Sequence, residues 1–170
     1  MPWASPGDNG AASPGAKGSD GDMARTYRLG PARKTINVIA KAIIGAGLGR
    51  ASYYLLTTTG RKTGRKRTTP VMLVENPGER WLVSPYGVVS WVCNLRALPE
   101  LSLRHGRRTE NFHTLEATPE AAGPVLQQYL RNVRATAPFF DVKAGDPVER
   151  FVAEADRHPV FRLTATKAPG

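Results

Sequence analysis

An α+β fold is predicted by this sequence, built on one mixed sheet or small barrel with helices over its openings. Three observations carry the prediction. Six β-rich runs lie between Tyr53 and Thr166. Helical patterns interrupt them in the order α, βββ, α, ββ, αα, β, with no internal repeat. At 170 residues the chain can form one domain with a real core but is too short for two ordinary ones.

The elements follow in chain order. Residues 1–24 are crowded with Gly, Pro, Ser and Asp and hold too little apolar surface to offset ordering entropy. They are expected to be a disordered extension ahead of a domain at 25–170, and Met23 sits where the composition changes. Residues 31–49 predict an amphipathic helix, with Pro31 in its first turn and Gly47 and Gly49 at its end. Ile36, Ile39, Ile43 and Ala46 share one face, and Lys34, Asn37 and Lys41 the other. Such a helix either packs on the domain or lies on an anionic membrane surface. Tyr53–Thr59, Thr68–Glu75 and Arg80–Ser84 read as a meander, the last two joined by a turn at Asn76-Pro77-Gly78-Glu79. Ser90–Leu98 reads as a helix with Ser90 as N-cap and Pro99 beyond its end. Leu101–His105 and Arg108–Ala117 form a hairpin around Gly106, and Thr118-Pro119-Glu120 opens a helix running to about Val133. Asp146-Pro147-Val148-Glu149 has capping-box spacing before a helix ending near Arg157, and His158–Thr166 closes as a strand.

Composition narrows the function. Hydrophobic residues make up 41% of the chain, as in globular proteins. The net charge of +10 is localised: residues 25–74 hold eleven Lys and Arg and no carboxylate, whereas the flanking segments sum to −2 and +1. A local anionic partner is therefore expected rather than a protein basic throughout. Cys93 alone cannot form an internal disulfide, which suits a reducing cytoplasm. No run approaches the roughly 18 apolar residues of a membrane span, and the N-terminus lacks the order of a secretory signal.

The run from Gly60 to Arg67, Gly-Arg-Lys-Thr-Gly-Arg-Lys-Arg, carries five cations within seven residues. Glycine lets backbone N–H groups converge on an anion, and arginine offers a fork matched to phosphate or carboxylate oxygens. Thr63 and Thr68 add neutral donors. The run is not a Walker loop. Three readings stay open on residue chemistry: a site for a phosphorylated or polycarboxylate cofactor, a nucleic-acid patch, and a solvated hairpin tip. Against the nucleic-acid reading, no aromatic interrupts the run and no recognised DNA- or RNA-binding signature accompanies it.

The rest of the inventory is sparse. His105, His113 and His158 are isolated, no metal-ligand spacing occurs, and no nucleophile elbow is present. An enzyme with this inventory leaves the difficult chemistry to a bound cofactor.

Thr57–Arg67 (TTTGRKTGRKR), followed by Pro70 and then Trp91-Val92-Cys93-Asn94-Leu95-Arg96-Ala97-x-Pro99, resembles the deazaflavin-dependent nitroreductase and quinone reductase family, actinobacterial reductases that use coenzyme F420. The likeness runs from about residue 29 to Pro159–Leu163. It implies a split β-barrel of the FMN-binding type with flanking helices. It also implies that Arg61, Lys62, Thr63 and Arg67 hold the coenzyme's phosphate and oligoglutamate tail. The ring would lie along Thr68, Thr69, Pro70, Val71 and Met72. A second loop, Val83-Ser84-Pro85-Tyr86-Gly87, and the helix start at Ser90, Trp91 and Asn94 would complete the cofactor site. Two departures concern the substrate. The segment between Tyr86 and Trp91 is shorter than in nitroimidazole-reducing members, without their basic residue and glycine pair. Where their tyrosines line the substrate pocket, this chain has Pro138-Phe139-Phe140.

The resemblance thus implies hydride transfer from reduced F420 to a small-molecule acceptor: a quinone, a nitro compound or another conjugated molecule. Tyr86 is the candidate to orient the acceptor or supply a proton. Met72, Phe139 and Phe140 are the candidates for an apolar substrate pocket, with no metal and no nucleic acid involved. The expected location is cytoplasmic, with membrane association through residues 31–49 left open. The alternative from a different class is a basic, non-catalytic module that binds nucleic acid or an anionic membrane surface.

Overall fold

β-Branched and aromatic residues with alternating burial form β1, Tyr53–Thr59, which pairs antiparallel with β2, Lys66–Asn76, so that Leu56 faces Thr69 and Tyr53 faces Met72. The computed structural model describes residues 52–166. The extension at 1–24 and the helix expected over 31–49 lie outside them. A tight turn at Gly78, whose φ is +76°, leads β2 into β3, Glu79–Val83. β4, Glu100–His105, and β5, Arg108–Glu116, form the next hairpin around Gly106, and β6, Val160–Ala165, comes last. The strands close into a barrel in the order β1-β2-β3-β6-β5-β4, with β4 pairing back onto β1. Every pairing is antiparallel, so of the two predicted forms the barrel is realised and the mixed sheet is not.

Strand periodicity of two divides the core. Leu56, Leu73, Leu82, Leu103, Phe112 and Phe161 fill the interior. Helix α1, Ser90–Ala97, closes one end by adding Trp91, Val92 and Leu95 to that cluster. Toward the other end, Arg80 pairs with Glu75 and Glu110, its guanidinium 5.7 Å from the Phe112 ring centre, and Tyr54 donates to Glu75 at 3.2 Å. The alternate row, including Val74, Trp81, Val83 and Val160, faces outward under α2, Pro119–Asn132, and α3, Val148–Glu154. Among the described residues no helix is long and apolar enough to cross a membrane.

Two helix starts differ from expectation. Val89, not Ser90, caps α1, because Val89 N–H donates to Gly87 O and the turn already sets the entry. Asp146 does not cap α3: its carboxylate accepts from Lys143 N–H at 3.0 Å, and Pro147 takes the cap position without a side-chain bond. Thr118 does cap α2, accepting from Ala121 N–H at 3.4 Å. A 3-10 segment, Arg134–Phe139, was not predicted between α2 and α3.

α2 and α3 meet at Gly123, where an added Cβ would lie 2.6 Å from Val152 Cγ2 and 3.3 Å from the Val148 carbonyl. Gly123→Ala is therefore expected to destabilise the fold by about 1–3 kcal/mol despite alanine's better helix propensity. Urea unfolding checks this, and unchanged or raised stability would contradict it.

A buried polar pair lies at the end of α3: Glu154 and His158 are 3% and 4% exposed, with His158 Nε2 and Glu154 Oε2 3.1 Å apart. Burial, aided by Arg157, lowers the His158 pKa to about 4. Between about pH 6.5 and 4 the unfolded chain binds a proton that the folded imidazole refuses. The stabilisation from His158 is thus complete above the unfolded value and is lost as pH falls to the folded one. Burial pushes Glu154 upward, which gives the opposite slope as that carboxyl titrates. The expected result is a wild-type unfolding midpoint that drops on acidification from pH 7, with a shallower drop in His158→Gln. Superimposable profiles for the two proteins would refute the assignment.

Candidate functional site

The loop between β1 and β2 is closed on itself by backbone bonds. Gly60 N–H donates to Arg65 O, and Gly64 N–H to Gly60 O, both at 2.8 Å. Gly64 sits at φ +66°, which favours glycine there, and a Cβ on Gly60 would come within a tight 3.1 Å of Arg65 O. With the backbone turned inward, Arg61, Lys62, Arg65, Lys66 and Arg67 are all exposed. None of the five makes an ion pair with a described residue, whereas Arg80, Arg96, Arg157 and Arg162 all do. Five like charges with no counter-ion among the described residues repel each other, and an anion placed among them relieves that repulsion.

Helix α1 fixes where this cationic loop points. Asn94, 4% exposed, donates from Nδ2 to Thr58 Oγ1 at 3.1 Å. Its Oδ1 accepts from the Arg61 backbone N–H at 3.2 Å and from Arg61 Nη1 at 3.4 Å. The Asn94 amide is therefore spent on holding the loop. Trp91, its expected partner, is 8% exposed inside the barrel, its ring centre 6.0 Å from that of Phe161. Ser90 is exposed at the start of α1.

Alternation along β2 sorts the next residues. Lys66, Thr68, Pro70 and Met72 share the outer row with Thr59, Thr57, Leu55 and Tyr53 of β1. Lys66 Nζ donates to Thr59 Oγ1 at 2.9 Å, and the Thr57 and Thr68 hydroxyls lie 3.0 Å apart. Thr69 and Val71 fall on the opposite row, with Val71 packed on the interior cluster. Of the five residues expected along a bound ring, three present side chains outward and two turn into the barrel.

The second expected loop gives one exposed side chain. Val83 and Pro85 are buried, and Ser84, with no exposed surface, donates from Oγ to Gly87 O at 2.6 Å. Tyr86, 38% exposed, stands out from that turn. Phe139 meets it edge-on, with ring centres 4.8 Å apart and planes at 86°. Phe139 and Met72 both pack against the outer core. Phe140 is a buried member of that core rather than part of the aromatic wall. It is 7% exposed, and its ring stacks on His158 at 3.9 Å.

Three residues outside the expected set belong to this region. Burial raises the pKa of Tyr129, which is hydrogen-bonded to Thr136 and within electrostatic reach of Tyr86 and Tyr53. Tyr129 follows Leu126 on the apolar face of α2, where a tyrosine signals a hydroxyl that needs a partner. Tyr53 lies directly across from Met72. Lys66 was legible from period-two counting back from Pro70.

Comparison with known proteins gives concordant results. The family model described as F420H(2)-dependent quinone reductase matches residues 33–153. A solved structure of an F420-H2 dependent reductase (FDR-A) is 27% identical, with TM-score 0.48, over 67% of this chain and 95% of that one. A structure described as a domain-swapped dimer is 22% identical with TM-score 0.51, over 79% of this chain and all (100%) of that one. A pyridoxamine 5'-phosphate oxidase-like protein from Listeria innocua is 9% identical with TM-score 0.48, over 76% and 94%. The closed six-strand barrel with its few helices is the split-barrel fold expected from the sequence. With the match spanning most of its length, the chain belongs to the F420H(2)-dependent quinone reductase family, oxidoreductases that depend on reduced coenzyme F420.

Proposed function

We propose that this chain reduces a quinone or a similarly conjugated acceptor at the outer groove of β1 and β2. The cationic loop would hold the coenzyme's anionic tail there. The observation that carries this reading is the junction of two chemistries on one strand. Cations without an ion pair to any described residue run to Arg67, and the outward row runs from Lys66 through Thr68 to the apolar Pro70 and Met72. A flat, largely apolar ring joined to a phosphate and carboxylates asks for that order. The residues present therefore fit the coenzyme.

When bound, the reduced deazaflavin supplies a hydride. The protein's part is binding, alignment and exclusion of water. Arg61, Lys62 and Arg67, with Thr63 between them, bind the phosphate and glutamates. Asn94 acts by holding Arg61 rather than by touching ligand. Pro70 and Met72 present the flat apolar floor. Tyr86 and Phe139 form the aromatic wall against which an acceptor lies. Reduction by a hydride also consumes one proton, and the Tyr86 hydroxyl at the exposed lip can deliver it. Tyr129, held protonated by burial, lies within electrostatic reach of Tyr86.

Charge-assisted hydrogen bonds contribute about 1.5–3 kcal/mol each. Removing Lys62 or Arg67 is therefore expected to weaken coenzyme binding by about tenfold to a hundredfold, followed by deazaflavin fluorescence. Unchanged affinity in Lys62→Ala/Arg67→Ala would remove the loop's role. Tyr86→Phe is expected to lower kcat for quinone reduction and leave coenzyme affinity intact; a wild-type kcat would exclude the proton role. Parallel titration with single-stranded and duplex DNA separates the binding-module reading, which predicts tight, salt-sensitive DNA binding and no coenzyme binding.

A further inference from the structure

Glu154 and His158 make their hydrogen bonds, ion pairs and ring contact away from the cationic loop and the β2 row, yet the short segment from Glu154 to Pro159 touches both sides of the aromatic wall. On one side, Pro159 O accepts from Ser84 N–H at 2.9 Å. On the same side, Gly87 lies so close to the Arg157 carbonyl that a Cβ would sit 3.4 Å from its oxygen. These contacts hold the turn that carries Tyr86. On the other side, Phe140 stacks on the His158 ring, and Arg157 bridges Asp141 to Glu154. These contacts hold the segment that carries Phe139.

A buried charged group beside a buried imidazole gives little net stability compared with apolar side chains of the same shape. Its hydrogen bonds, however, fix direction. Burial disfavours the charged imidazole, and its Nε2 lies 3.1 Å from Glu154 Oε2. The ring also lies within hydrogen-bonding reach of the Ser84 and Pro85 backbone, in the turn that carries Tyr86. The ring is oriented by Glu154 at one edge and by Phe140 on its face.

We infer that Glu154 and His158 are positioning residues that set the spacing between Tyr86 and Phe139, and so decide how the acceptor fits. This rests on the reductase reading above. Neither residue touches ligand.

The test uses the full chain in four variants: Glu154→Gln, His158→Phe, His158→Gln and Phe140→Leu. Hydrogen exchange is read by mass spectrometry over 84–89 and 139–141. Coenzyme affinity and the kinetics of menadione reduction are measured alongside. Glu154→Gln and His158→Phe are expected to lose protection in those two segments while the barrel strands keep theirs. Their KM for menadione should rise about tenfold, with coenzyme affinity changed by less than about twofold. His158→Gln, which can still donate to Glu154, should recover part of the loss. Phe140→Leu leaves no polar group unpaired and folds even where the others do not; its KM should rise about threefold. Wild-type protection and KM in every folded variant would overturn the inference, as would coenzyme affinity falling in step with KM. Failure of the wild type to bind coenzyme would instead overturn the reductase reading, and the exchange data would still judge the positioning role.

Discussion

The antiparallel register of β1 on β2 is the constraint on which the rest of this molecule depends. Pairing Leu56 with Thr69 puts Leu56, Leu73 and Val71 inside the barrel. The same register puts Thr57, Thr68, Pro70 and Met72 outside. A slip of one residue would exchange the two rows and bury Lys66 while exposing Leu73. Burial of the interior row therefore fixes the outer row as well, and the groove follows from the requirements of the core. The turn Gly60–Arg65 closes the hairpin with Gly64 in the left-handed region, so the place where the cations emerge is set by the same pairing.

Charge and packing cooperate around that hairpin. Elsewhere on the barrel, arginines neutralise carboxylates, as Arg80 does between β2, β3 and β5, and Arg162 does with Glu79. At the loop no described carboxylate pairs with the cations, and a buried amide, Asn94, controls the backbone direction. The cost of holding five cations together is a few weak repulsions in solvent, screened by salt. In return the site can be ready for a polyanion without reorganising when it binds. The second half of the groove is built differently. Tyr86 and Phe139 arrive from two segments that share no strand, and the outer core under α2 and α3 brings them together.

Much of this could be read from the chain. β1 begins and ends at Tyr53 and Thr59 as expected, because aromatic and β-branched residues leave little choice there. The basic loop was legible because glycine and charge are both local signals. A barrel was expected, but the particular pairing that closes it was not read, since nothing in β4 alone shows that it returns to β1. Asp146 and Ser90 misled as helix caps because a nearby backbone donor and a pre-formed turn compete with capping, which no spacing rule reveals. Side-chain roles were hardest. Asn94 and Trp91 belong to one motif, yet one secures the loop and the other fills the barrel interior. Phe139 and Phe140 are neighbours in sequence and face different environments, the aromatic wall and His158. His158 looked isolated, and its partner Glu154 lies one helical turn earlier, within reach only because α3 ends there.

The central claim is that the unpaired cations of the β1–β2 loop hold the charged tail of the coenzyme while the outer row of β2 takes its ring. The most direct measurement compares binding of coenzyme F420 with that of the same deazaflavin lacking the phosphate and glutamates, over a series of salt concentrations. The account predicts that the complete coenzyme binds tighter by about a hundredfold or more at low salt, and that the gap narrows as salt rises. Equal affinity for the two molecules, or a gap that ignores salt, would contradict it.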